Sequence, residues 1–147
     1  MRKSALFLAV ISIYIFILPA FGKTIFTCEG PSGYAYYVEG GIVPKGKGGW
    51  VTDQISKGKI SLISNDEDID VLFLDATGSL QSSKDSGALI SYVGASESMI
   101  SVMVLYPSQL VEVYTYDFEN KALYWMQQKY GAPVNKLGAY VAKKCQH

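Results

Sequence analysis

Histidine and arginine are nearly absent from this sequence. The one histidine, His147, is the last residue, and the one arginine is Arg2. Histidine is the usual general base near neutral pH and a common metal ligand, so its scarcity excludes Ser-His and Cys-His catalytic arrangements and histidine-rich zinc sites. The lack of guanidinium groups argues against forked recognition of carboxylates or phosphates, because lysine offers only a point charge.

An excess of basic residues is also lacking. The sequence has 13 basic and 13 acidic residues. Arg2 and Lys3 lie in a segment that we expect to be removed, and the remaining domain would then carry a net charge of −2. A nucleic-acid-binding protein needs a basic face that displaces counterions from phosphates. The composition therefore argues against nucleic acid as a partner.

The amino terminus has the pattern of a cleavable secretory signal. The two basic residues precede an apolar run from Ala5 to Leu18, and small residues follow at Ala20 and Gly22. We predict cleavage near Gly22, which leaves residues 23–147 as a single domain in the periplasm or outside the cell. A retained transmembrane anchor is the alternative, but a span needs about 20 apolar residues and this run is shorter.

Two cysteines are present, and they lie near the two ends of the predicted domain. Export would bring Cys28 and Cys145 into an oxidising compartment, so we expect them to form a disulfide. Such a bond closes a loop of more than a hundred residues. In the chain-entropy model it would stabilise the fold by about 4 to 5 kcal/mol. It would also make the first and last strands neighbours.

The hydrophobic pattern after residue 22 has a period of two, which predicts about nine short strands. These strands are predicted over 24–29, 34–39, 59–64, 70–76, 88–94, 98–106, 111–117, 122–128 and 137–145. Glycine, proline, asparagine and aspartate separate them, as is typical of turns. The best helical candidate is a single turn over 50–57, capped by Thr52 or Asp53.

The regular spacing of strands and turns indicates an all-β, antiparallel meander. Such a sheet must hide its edges, either by closing into a barrel or by folding into a sandwich. Because the predicted disulfide would join the first strand to the last, we expect a small closed barrel. A two-sheet sandwich is the alternative.

Tyrosine is the most abundant aromatic residue, with 11 Tyr beside 2 Trp and 6 Phe. A cluster of tyrosines can line a ligand pocket or form an interface, since each ring combines apolar area with a polar tip. We predict a binding site on a strand face that contains Tyr114, Tyr116 and Tyr124, or at the barrel mouth near Trp50. Cross-strand pairing that only stabilises the sheet is the alternative.

Acidic residues are concentrated between Asp66 and Asp70. An EF-hand loop that began at Asp66 would need glycine at its sixth position and glutamate at its twelfth, where this chain has Val71 and Thr77. A solvated hairpin turn is therefore expected, with an irregular Ca²⁺ site as the alternative. We assign no metal ligand and no cofactor.

Carboxylate pairs can also catalyse glycoside hydrolysis when two acids face each other across the scissile bond. The candidates on or near strands are Asp53, Asp75, Glu112 and Asp117. The sequence does not bring any two of them together, so a small carboxylate-dependent hydrolase is the least favoured hypothesis. We expect that the protein is not an enzyme.

Short motifs are spread over most of the predicted domain: Cys28-Glu29-Gly30, Trp50 with Asp53, Asp70-Val71-Leu72-Phe73 leading to Asp75-Ala76-Thr77-Gly78, Tyr106-Pro107, Val111-Glu112-Val113-Tyr114-Thr115-Tyr116 and Lys143-Lys144-Cys145. Taken together, they resemble small exported bacterial β domains that carry no assigned activity. The resemblance implies export and a β fold but no particular activity.

A second resemblance concerns one loop. Ser86-Gly87-Ala88 is similar to the Ser-Gly loop of the periplasmic inhibitors of C-type lysozymes, although the Trp-x-Lys-Gly segment of those inhibitors does not follow it. We therefore expect a monomeric, non-enzymatic exported domain that binds a small ligand or a partner protein. An inhibitor or immunity-like protein that occludes a partner through Ser86 and Gly87 is the alternative.

Overall fold

The computed structural model describes residues 22–65 and 68–147. The predicted signal segment, apart from Gly22, lies outside these residues and stays a prediction. The described residues form twelve β-strands: β1 Lys23–Glu29, β2 Ser32–Tyr37, β3 Gly49–Gln54, β4 Lys59–Asn65, β5 Asp68–Leu74, β6 Leu80–Ser82, β7 Leu89–Ala95, β8 Met99–Tyr106, β9 Leu110–Asp117, β10 Ala122–Lys129, β11 Lys136–Ala142 and β12 Lys144–Gln146. Within them, no helix is long and apolar enough to cross a membrane.

The all-β prediction is confirmed, and each predicted strand is present with ends shifted by a few residues. The last predicted strand is divided into β11 and β12 by a break at Lys143. Two strands, β3 and β6, were not predicted. The helical turn proposed over 50–57 is wrong, because Trp50, Val51 and Thr52 favour extended backbone and pair in register with Tyr36, Ala35 and Tyr34 of β2.

The strands form two antiparallel sheets rather than one barrel. The five-stranded sheet has the order β12-β1-β4-β5-β6, and the seven-stranded sheet has the order β3-β2-β11-β10-β9-β8-β7. The barrel prediction is therefore corrected, and the alternative of a β-sandwich fits better. The chain leaves one sheet for the other between β1 and β2, where Gly30 has a φ of 60° and Pro31 has no N–H to continue the ladder.

The predicted disulfide is confirmed. Cys28 and Cys145 are bonded, and they are directly opposite each other in the ladder between β1 and β12. The three-residue strand β12 is thereby fixed to the first strand of the domain. The adjacency of the two terminal strands was expected, but it occurs inside the five-stranded sheet and closes no barrel.

The two sheets pack face to face around one aromatic core. Phe26 of β1 stacks on Tyr116 of β9 with ring centroids 4.5 Å apart, and Phe73 of β5 contacts Trp125 of β10 at 5.9 Å. Ile60, Leu62 and Leu123 are among the fully buried side chains. These cross-sheet aromatic contacts hold the sandwich together, since each buried ring removes about 150 to 250 Å² from water.

The inner face of the seven-stranded sheet changes from apolar to polar along the strands. Strand alternation through β9 sends Tyr116, Tyr114 and Glu112 inward in succession, and the buried fraction stays high at all three. On β10 the corresponding inward residues are Leu123, Trp125 and Gln127. The candidate site lies at the polar end of this inner face.

Candidate functional site

A cleft opens between the two sheets at the polar end of the inner face. Its volume is about 510 Å³, and its lining includes Ile55, Phe73, Tyr106, Glu112, Trp125 and Lys136. Small-molecule sites in proteins are commonly concave, mostly apolar and about 300 to 1,000 Å³ in volume. The cleft has these properties.

The floor of the cleft is set by the register of the central strands. Glu112 on β9 lies opposite Gln127 on β10, and Gln127 lies opposite Gly138 on β11. The ring of Tyr140 lies over Gly138, where an added Cβ would come within 2.5 Å of that ring. A glycine at this position therefore gives Tyr140 the space to lie flat beside the cleft.

Glu112 is a buried carboxyl group, with 6% of its surface exposed. The hydroxyl of Tyr114 donates a hydrogen bond of 2.6 Å to its Oε2 atom. Burial raises the pKa of Glu112, and interactions with Tyr114, Tyr106, Trp125 and the charge of Lys136 offset only part of that effect. Glu112 therefore keeps its proton to a higher pH than an exposed glutamate does.

Trp125 carries an unused hydrogen-bond donor beside this carboxyl. Its ring is stacked between Tyr114, with centroids 5.9 Å apart, and Tyr140, with centroids 4.5 Å apart. The indole N–H is close enough to Glu112 to help lower the pKa of that carboxyl group. No acceptor, however, is placed at hydrogen-bond geometry to this N–H. Among the described residues it is the one buried side-chain nitrogen or oxygen without a partner. An unsatisfied buried donor costs about 1 to 3 kcal/mol.

Lys136, at the edge of the cleft, is held by Asp53 and Tyr140. The Lys136 ammonium lies 3.0 Å from Oδ2 of Asp53, and the Tyr140 hydroxyl donates to the same oxygen at 2.8 Å. Burial acts to raise the pKa of Asp53, but the hydrogen bonds from Lys136 and Tyr140 outweigh it and lower that pKa. Burial raises the pKa of Tyr140 to about 12. The cation is thus already paired with an anion.

The approach of Asp53 to Tyr140 depends on a glycine between them. Gly33 on β2 lies opposite Asp53 on β3 and opposite Tyr140 on β11. A Cβ at Gly33 would come within 2.0 Å of the Ala139 carbonyl oxygen. Because Gly33 has no side chain, the three strands pack closely and no side chain separates Asp53 from Tyr140.

The far wall of the cleft is built by the turn between β6 and β7. The Ser83 hydroxyl hydrogen-bonds the Tyr106 hydroxyl at 2.7 Å and donates to the Val71 carbonyl at 2.9 Å. Ser86 and Gly87, the pair singled out by the lysozyme-inhibitor resemblance, lie in this same turn. Ser86 lines the cleft, and its hydroxyl donates to the Ser82 carbonyl at 2.8 Å.

The four aromatic residues predicted as a binding site do not share one surface. Tyr114 and Tyr116 are 2% and 0% exposed and lie in the core. Tyr124 and Trp50 are 40% and 64% exposed, and both point outward from the seven-stranded sheet. Side chains alternate along β9, and the face that carries Tyr114 and Tyr116 is the buried one.

The four candidate carboxylates are also dispersed. Asp75 accepts hydrogen bonds from Thr77 and Ser79 in its own turn, and Asp117 does the same for Asn120. Asp53 is engaged by Lys136 and Tyr140, which leaves Glu112 as the one of the four that lines the cleft.

At the acidic run, β4 and β5 pair in antiparallel, and Asn65 lies opposite Asp68. Asp66 and Glu67 lie outside the described residues. Asp68 is paired with Lys84, and Asp70 accepts a hydrogen bond of 2.6 Å from Ser82. The described part of the chain contains no group of three or more side chains suited to hold a metal ion.

Sequence reasoning missed Trp125, Gln127, Lys136 and Tyr106 as site residues. The sequence contained one usable signal. Trp125 and Gln127 are two residues apart and therefore point to the same side of the sheet, as Glu112 and Tyr114 do on the neighbouring strand. Both faces of β10 are apolar around Trp125, so its inward face could not be chosen from the sequence.

Comparison of the chain with protein-family models, with curated proteins and with solved structures found no match. The chemistry of the cleft and of the exposed surfaces therefore carries the functional argument.

Proposed function

We propose that the chain is a non-enzymatic exported domain that binds a small, uncharged molecule in the cleft between its two sheets. The observation that carries the proposal is the buried, unpartnered indole N–H of Trp125, because Trp125 and Glu112 both line a cavity of about 510 Å³. A ligand with a carbonyl, ether or hydroxyl oxygen would satisfy this donor. The disulfide is compatible with export to an oxidising compartment.

The charges around the cleft support an uncharged ligand. Lys136 is already paired with Asp53, so an anionic ligand would have to compete with a carboxylate for it. Glu112 has a raised pKa because it is buried, and a protonated carboxyl offers both a donor and an acceptor. Ile55, Phe73 and Trp125 provide apolar contact for the body of the ligand.

The same lining supports binding rather than hydrolysis by paired carboxylates. Glycosidases place two acids on opposite sides of the scissile bond. Among the described residues that line the cleft, Glu112 is the one acid. The serine hydroxyls of Ser83 and Ser86 are engaged with Tyr106 and with the backbone.

Occlusion of a partner protein is a second candidate, because the exposed turn that contains Ser86 and Gly87 forms one rim of the cleft. Gly87 has a φ of 77°, which fixes the turn in a shape that few other residues adopt. A partner would insert a side chain into the cleft beside this turn. The two candidates differ in the size of the bound species.

The proposal is tested by NMR of the indole N–H groups. The sequence contains two tryptophans, so the ¹⁵N-labelled domain gives two indole signals, and Trp50→Phe identifies the signal of Trp125. On addition of pools of neutral, carbonyl-containing fragments, we expect the Trp125 signal to move downfield as it gains an acceptor. The Trp50 signal should stay in place because Trp50 lies on the opposite face of the sheet.

Trp125→Phe is the matched control variant. It keeps an aromatic ring between Tyr114 and Tyr140 but removes the donor, so the affinity of a fragment found in this way should fall about tenfold, the effect of one hydrogen bond. Fragments that shift only Trp50, or that bind Trp125→Phe with unchanged affinity, would contradict the proposal.

A further inference from the structure

The outward-pointing side of the seven-stranded sheet, here called the outer face, is uncharged over three consecutive cross-strand rows. By strand register, the rows run from Trp50 to Leu89, from Thr52 to Ser91 and from Gln54 to Ser101. Each row crosses the sheet from β3 towards β7, and none contains Asp, Glu, Lys or Arg.

Large apolar side chains of the outer face are exposed. Trp50 is 64% exposed, Tyr34 60%, Met126 56% and Leu89 71%. Solvent-facing sheets normally alternate apolar residues inside with polar residues outside. The outer side of the five-stranded sheet carries charged residues, with Glu29 and Lys59 forming an ion pair on it. The outer face of the larger sheet differs from it, because its three rows contain no charged residue.

We infer that the outer face is the interface of a symmetric dimer formed with a second copy of this chain. An ordinary protein surface carries charges, and these would be desolvated without partners if they were placed on the outer face. A suitable partner must itself be apolar and uncharged. A second copy of the same face meets these conditions, and a twofold axis makes the contact self-complementary.

The size of the outer face agrees with a dimer. Its seven strands at about 4.8 Å, and about six residues per strand at about 3.4 Å, span about 34 Å by 20 Å, or about 690 Å². Stable interfaces bury about 800 Å² per partner. The largest apolar patches on monomers are about 300 to 600 Å². The corrugation of the side chains brings the accessible area of the face above its projected area.

The centre of the outer face is suited to become the centre of the interface. Strand β10 is the middle strand of the seven, and Met126 occupies its middle row. Sheets that pack face to face are about 10 Å apart and rotated by about 30°. A twofold axis near Met126 would place two flexible thioethers against each other, with Tyr34 and Tyr124 around them.

Dimerisation through the outer face leaves the cleft open, because the cleft lies on the inner side of the same sheet. This inference is therefore independent of the proposed ligand. The inferred dimer differs from the monomer that was expected from the sequence. The apolar side chains that share one side of the sheet can be identified only once the strand register is known.

The test is sedimentation equilibrium of the oxidised domain, residues 23–147, over a range of micromolar concentrations. We expect the wild type to have twice the monomer mass. Met126→Lys would place two ammonium groups near the twofold axis and should weaken dimerisation about a hundredfold or more. Leu137→Lys, on the neighbouring strand, should act in the same direction.

Leu80→Lys is the matched control. Leu80 is 64% exposed and lies on β6 at the edge of the other sheet, so this variant should dimerise like the wild type. Near-ultraviolet circular dichroism verifies that each variant is folded. A wild type that stays monomeric over the whole range would overturn the inference. Equal dimerisation of the Met126→Lys, Leu137→Lys and Leu80→Lys variants would overturn it as well.

Discussion

Reduction of the bond between Cys28 and Cys145 should destabilise the domain strongly, because this bond joins the first and last strands of the sequence order. The two cysteines are 117 residues apart in sequence. In the folded state they lie directly opposite each other on β1 and β12. After reduction, only noncovalent contacts hold the two strands together in the folded state. In the unfolded chain, reduction removes the constraint that closes a long loop.

The magnitude follows from the loop length. For a sequence separation of 117 residues, the chain-entropy relation gives about 16 cal/mol/K, or about 4.9 kcal/mol at 25 °C. A domain of this size has an unfolding entropy of about 0.26 kcal/mol/K at its midpoint. The melting temperature should therefore fall by about 19 °C on reduction.

The assay is thermal and urea unfolding, followed by tryptophan fluorescence, of the oxidised and the reduced domain. Thiol titration of the denatured, unreduced protein should detect no free thiol, and the double variant with Cys28→Ala and Cys145→Ala should unfold like the reduced wild type. Coincident unfolding midpoints for the oxidised and reduced protein would refute the reasoning. Two titratable thiols before reduction would refute the bond itself.

Three further predictions concern the cleft and its supporting strands. Since burial raises the pKa of Glu112 above 4.5, wild-type stability should decline as the pH rises through the folded pKa, and Glu112→Gln should remove this decline in urea titrations across pH. The pKa of Asp53 is instead lowered below 3.8. Asp53→Asn should therefore reduce the free energy of unfolding by about 1 kcal/mol at neutral pH and should not change it once the pH has fallen below the folded pKa. An equal loss of stability at both pH values would contradict this prediction. Gly33→Ala should cost about 3 kcal/mol or more in thermal unfolding, because its Cβ would meet a backbone oxygen at 2.0 Å, whereas Gly94→Ala meets nothing within 4 Å and should be neutral.

The strands and the disulfide were predictable because both depend on local or compositional signals. Alternation through Val111 to Tyr116 is visible in the sequence, and two cysteines allow a single pairing. The edge strand β3 was missed because its extended form depends on Tyr36 and Tyr34 in a distant part of the chain, which pair with Trp50 and Thr52.

The barrel and the site were not predictable for a different reason. Whether the terminal strands close a barrel depends on where the chain changes sheets, and Gly30-Pro31 reads as an ordinary turn in the sequence. The inward direction of Glu112 contradicts the usual preference of carboxylates for water. It is tolerated because Tyr114, two residues further along the same strand, donates a hydrogen bond to it.

The cleft itself combines residues from strands that are far apart in the chain. Phe73 and Trp125 come from different sheets, and their ring centroids are 5.9 Å apart. Lys136 reaches Asp53 across 83 residues of sequence. Such pairs follow from strand order and register, which a single sequence does not specify.

The most direct test of the central claim is native mass spectrometry of the protein recovered from its own host. We expect an additional mass of a few hundred daltons that disappears on denaturation. This mass should be retained by Trp50→Phe and lost or reduced in Trp125→Phe. A protein without bound mass, or an adduct retained equally by both variants, would contradict a ligand held in the cleft.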